Sequence, residues 1–133
     1  MNYRIGSFKP SRNVVSKFIV AIQGDDLVFY ATNPSVCRYH KEIATINGLD
    51  AENKALGGGG LVYLNDHEIE LHEDSTAYGA VPKEVLEGFS DLILEEARGI
   101  RPTIKRVEIH PYENTVRPHW KPILEKLNAE KSA

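Results

Sequence analysis

Two runs of β-forming residues, Lys17-Phe18-Ile19-Val20-Ala21-Ile22 and Leu27-Val28-Phe29-Tyr30-Ala31, flank a Gly24-Asp25 turn signal. Apolar runs of five or six residues rich in β-branched and aromatic side chains are too short for typical helices and suit buried strands. The turn between them joins the pair into a β-hairpin. This hairpin is the strongest local constraint on the fold.

The rest of the chain supplies partners for it. Asn33-Pro34-Ser35 is a helix-start signal, and Val36, Tyr39, His40, Ile43 and Ile46 follow at helical spacing up to a stop at Gly48. His40 is therefore expected on the inward face of a short helix, near its first turns. Residues 49–60 read as a loop ending in Gly57-Gly58-Gly59-Gly60. A strand at Leu61-Val62-Tyr63-Leu64, a turn at Asn65-Asp66 and a strand at Ile69-Glu70-Leu71 come next. In the latter, Glu68, Glu70 and His72 share one face, and His67, Ile69 and Leu71 the other. After a loop from Asp74 to Val81, Pro82 opens an amphipathic helix with Val85, Leu86, Phe89, Leu92, Ile93 and Ala97 on one side, closed by Gly99 and Pro102. Ile104 to Ile109 reads as a last strand. Pro118 to Asn128 reads as a short terminal helix docked by Trp120, Ile123 and Leu127. Residues 1–15 are polar and broken by Pro10, and read as a surface arm. The order β-β-α-β-β-α-β plus a C-terminal helix predicts an α/β (α+β) fold, a single mixed β-sheet with helices packed against it. With no linker or repeat, residues 1–133 form one domain.

Composition limits the function classes. Hydrophobic residues are 41% and charged residues 26%, the balance of a globular protein. A net charge of −3 with no block of like charge disfavours nucleic acid as a partner. No run of eighteen apolar residues is present, so no membrane span is expected. The first twenty residues lack a signal-peptide pattern, and the single cysteine, Cys37, permits no internal disulfide; both predict a cytoplasmic protein.

Four features carry candidate chemistry. His40 can act near neutral pH as acid, base or nucleophile, or be a core histidine held by one hydrogen bond. Gly57 to Gly60 allow close approach of a ligand or another segment, without the lysine and hydroxyl of a P-loop. Ser75-Thr76-Ala77-Tyr78-Gly79 can present backbone N–H groups to an anion, or be ordinary turn chemistry. Lys17 stands at the start of a buried strand, facing a pocket or marking the strand's exposed end. The five histidines show no metal-ligand spacing, so no metal site is expected. Cys37 lies one helical turn before His40, with no hydrolase signature around it.

Taken together, Leu56-Gly57-Gly58-Gly59, the following strand–turn–strand, and Ser75-Thr76-Ala77-Tyr78-Gly79 resemble segments of the Janus/Ocnus phosphohistidine phosphatase family. Tyr39-His40 with Ile43 is similar to the family's segment bearing the catalytic histidine, and Lys17-Phe18-Ile19-Val20 to its first strand. The resemblance spans roughly residues 15–110. It implies His40 as the catalytic histidine, acting as general base or nucleophile. It also implies Lys17, Ser75, Thr76, Ala77, Gly57, Gly58 and Gly59 around a phosphate, with no metal or cofactor. The partner would be a phosphorylated protein or small phosphorylated molecule. Two family arginines are missing: Gly60 closes the glycine segment, and the other position falls near Thr32. Their loss keeps open a non-catalytic module that binds phosphate or another anion.

Overall fold

The computed structural model describes residues 1–33, 35, 39–50, 52–72, 77–110 and 112–132. The chain runs β1 (Asn2–Lys9), β2 (Ser16–Gln23), β3 (Asp26–Thr32), α1 (His40–Ile46), β4 (Lys54–Tyr63), β5 (Glu68–His72), α2 (Lys83–Ile100), β6 (Arg106–Ile109), two 3-10 turns (Glu113–Thr115 and Pro118–Trp120) and α3 (Lys121–Ser132). The strands form one mixed sheet in the order β1-β3-β2-β4-β5-β6. The outer pairs, β1 with β3 and β5 with β6, are parallel, and the pairs between them antiparallel. The architecture is the α+β fold expected, a mixed sheet carrying helices.

Because neighbouring residues on a strand point to opposite faces, β2 and β3 feed two cores. Phe18, Val20 and Phe29 pack with Phe89, Ile93 and Trp120 beneath α2 and α3. Phe29 lies between Phe18 and Phe89, with ring centroids 5.0 and 5.6 Å away. Such pairs add about 0.5–1.5 kcal/mol each beyond area burial. On the other face Ile19, Ala21, Val28 and Tyr30 pack against Ile43 and Ala44 of α1.

Three expectations need correction. Residues 1–15 are not a surface arm, because Asn2–Lys9 is a strand along the outer edge of β3. A register shift between Ile5 and Ser7 puts Tyr3, Ile5 and Phe8 on one face at uneven spacing, which hides the alternation. The glycine run is not a loop but the middle of β4, an inner strand. Glycine is a poor strand former in isolation, so the surroundings select it here. α1 begins only at His40; its inward residues are His40, Ile43 and Ala44, while Tyr39 is 62% and Ile46 63% exposed. A seven-residue helix offers one narrow stripe, which His40, Ile43 and Ala44 fill. Pro34 and Val36 lie outside the described residues.

Candidate functional site

The site builds up from register. Lys9 pairs with Thr32, Thr32 with Lys17, Lys17 with Gly60, and Gly60 with His72. Partners in a ladder share a face, so one row across five strands carries Lys9, Thr32, Lys17, Gly60 and His72. Lys17 alternates with Ile19 and Ala21, which places the row on the α1 face. Lys17 and His72 thus flank Gly60, a position with no side chain, while Lys9 and Lys17 flank Thr32. Ser16, next to Lys17, is buried and accepts a hydrogen bond from the Ser11 N–H at 2.7 Å, fastening the 10–15 connection over this end of the sheet.

His40 comes to the same face from α1. It is 8% exposed, and its Nε2–H donates to the Gly59 carbonyl at 2.9 Å. A carbonyl only accepts, so in the neutral ring Nε2 holds the proton and Nδ1 holds the basic lone pair. The glycines explain how the ring fits. A Cβ on Gly58 would stand 2.8 Å from His40 Cδ2 and 2.6 Å from the Phe18 carbonyl oxygen. Gly57 faces the other way, where a Cβ would meet the Ala80 carbonyl oxygen at 2.9 Å. The three glycines therefore act differently: Gly57 admits the 80–81 segment, Gly58 the imidazole, and Gly59 supplies the carbonyl.

The segment from Ala77 to Ala80 lies along β4 beyond the end of its pairing with β5. The Gly58 N–H donates to the Gly79 carbonyl at 3.0 Å. Gly79 has φ +79°, a conformation side chains disfavour, and a Cβ there would meet Thr115 and Arg117. Tyr78 packs against the α1-face core, and burial pushes its phenol up from its ordinary value, keeping it a neutral hydroxyl. Arg117 Nη1 donates to the Ala77 carbonyl at 2.9 Å. His119 and Trp120 both donate to the Leu56 carbonyl, at 2.7 and 3.1 Å. The C-terminal segment thus fastens two walls of the site, the 77–80 turn and the start of the glycine run.

Of the residues picked out from sequence, Lys17, His40, Gly58 and Gly59 come together, and Ala77 sits in a turn bonded to that strand through Gly79. Ser75, Thr76 and Cys37 lie outside the described residues. Sequence reasoning missed Lys9, His72 and Arg117. Lys9 belonged to the unread strand; its signal was the Tyr3, Ile5 and Phe8 pattern around Gly6. His72 shares its face with Glu68 and Glu70, as the alternation predicted, but only strand pairing sets it beside Gly60. Nothing local marks Arg117. Among the described residues no three His, Cys, Asp or Glu side chains gather as a metal site, and no helix is long and apolar enough to cross a membrane. A hollow of about 360 Å³ lined by Asp91, Leu94, Glu95 and Arg98 opens on α2, the helix packed on the face opposite His40.

No known protein-family model matches the chain, and no curated protein does.

Proposed function

We propose that the protein is a metal-independent phosphatase of the Janus/Ocnus type, hydrolysing phosphohistidine or a related phosphoramidate in a cytoplasmic setting. The observation that carries this reading is the His40 Nε2–H bond to the Gly59 carbonyl, made over a strand without side chains. It supports an imidazole held in one tautomer, with Nδ1 to take a proton from water or to attack phosphorus. Lys17, next to Gly60 and Thr32, and Lys9, next to Thr32, supply positive charge beside the two positions where the family arginines are missing. Cations and N–H donors fixed around a phosphoryl group stabilise the charge that grows on its oxygens. A P–N bond is labile enough that no metal is required. The test is phosphate release from phosphoramidate by the full chain, beside His40→Ala. Turnover is expected in the first and loss in the second; release that survives His40→Ala overturns the reading.

The near-complete burial of His40 favours one other reading, a module that holds a phosphorylated molecule without turning it over. That reading predicts thermal stabilisation by phosphate or a phosphopeptide with hydrolysis at background. Turnover that depends on His40 rejects it.

A further inference from the structure

The β5–β6 half of the α1 face carries a second group of titratable side chains. Glu70 lies between two histidines: its Oε1 is 3.9 Å from His72 Nε2 and its Oε2 3.4 Å from His110 Nε2. Beside them Arg106 pairs with Glu68 and with Glu108. His72 is the member that reaches the row with Lys17. A Cβ on Gly60 would lie 3.5 Å from His72 Cε1, as one on Gly58 would lie 2.8 Å from His40 Cδ2. Gly58 and Gly60 are two residues apart on one strand, about 7 Å, and project to the same face. Two imidazoles thus approach one strand at positions two residues apart, with no β4 side chain rising between them. Lys17 flanks Gly60 from β2, and Val15 covers it from the 10–15 connection.

The geometry points to His72 as the general acid of the reaction, with Glu70 as its positioning residue; this rests on the hydrolase reading above. Water attacks phosphorus, an O–P bond forms, and the P–N bond breaks with its electron pair remaining on nitrogen. His40 Nδ1 takes the proton from water. The imidazolium of His72 gives a proton to the leaving ring, which departs as neutral imidazole rather than its anion. Phosphate leaves, and the two enzyme imidazoles exchange protons with solvent to restore the starting state. Among the described residues, the charged and titratable groups beside His72 are Glu70 on its own strand and Lys17 across Gly60, with Glu108 and His110 next to Glu70 from β6 or just after it.

A general acid matters only when the leaving group needs its proton. The experiment compares a phosphohistidine peptide with p-nitrophenyl phosphate, whose leaving group departs as a stable anion, in full-length wild type, His72→Gln, His72→Asn and Glu70→Gln. His72→Gln and His72→Asn are expected to lower kcat on the peptide by about 10²-fold or more, to change the nitrophenyl rate by less than about threefold, and to leave KM nearly unchanged. Glu70→Gln is expected to fall between wild type and His72→Gln on the peptide alone. Equal losses on both substrates reveal a structural role and overturn the assignment. An unchanged peptide rate in His72→Gln, with His40→Ala inactive, overturns the assignment while leaving the hydrolase reading standing. A wild type inactive on the peptide overturns both.

Discussion

Replacing Gly58 with alanine puts the central packing relation of the site under direct test. The new methyl would sit 2.6 Å from the Phe18 carbonyl oxygen and 2.8 Å from His40 Cδ2, with Ile19 Cγ2 at 3.3 Å. Neither of the first two contacts is tolerable without movement, and the nearer is a backbone atom of the neighbouring strand. It cannot swing aside as the end of a long side chain would. Overpacking of this kind costs about 1–3 kcal/mol. Alanine regains about 0.4–1 kcal/mol by restricting the unfolded chain. Overpacking wins, and Gly58→Ala should lose about 1–2 kcal/mol of stability. His40→Ala removes the imidazole and its contact but leaves the carbonyl contact. The double variant should therefore be more stable than the sum of the single losses by about 0.5–1.5 kcal/mol. Urea unfolding followed by circular dichroism reads all three values. A Gly58→Ala protein as stable as wild type, or losses that simply add, would refute the placement of the ring over Gly58.

Other expectations concern the body of the fold. Among the described residues the buried Tyr63 hydroxyl has no hydrogen-bond partner, so Tyr63→Phe should match or exceed wild-type stability by up to about 1 kcal/mol in the same assay; a clear loss would reveal a partner. Burial pushes the phenols of Tyr3, Tyr63 and Tyr78 above their ordinary 10.0. The unfolded chain then ionises first, so stability should be intact below pH 10 and fall as pH rises through the higher folded-state values. Thermal unfolding from pH 8 to pH 11, with Tyr78→Phe shrinking the decline, checks this. Trp120 is fully buried with Nε1–H on the Leu56 carbonyl, which also accepts from His119. Trp120→Phe should cost about 1–3 kcal/mol, mostly for lost volume, because that carbonyl keeps one donor.

The β2–β3 hairpin and α2 are written in local patterns, an apolar run, a glycine turn and a helical stripe, and these survive into the fold. β1 is not, because the bulge at Gly6 breaks the two-residue period that a strand shows in sequence. The glycine run misleads for the opposite reason. Its residues favour a loop on their own, and only the imidazole on one side and the 80–81 segment on the other make glycine the residue that fits. His40 and Lys17 were visible because each stands out locally, one on a helix face and one at the head of an apolar strand. Lys9, His72 and Arg117 become neighbours of the site through strand order and through the return of the C-terminal segment. Their proximity is a property of topology, and no window of sequence contains it.

The most direct test of the account is the fate of a P–N bond in the presence of the full-length protein and a chelator. Phosphorus NMR of a phosphohistidine peptide follows the phosphoramidate signal and the appearance of inorganic phosphate in one sample. The account predicts conversion by wild type well above spontaneous decay, and decay at the spontaneous rate with folded His40→Ala. Equal rates for the two proteins would contradict it.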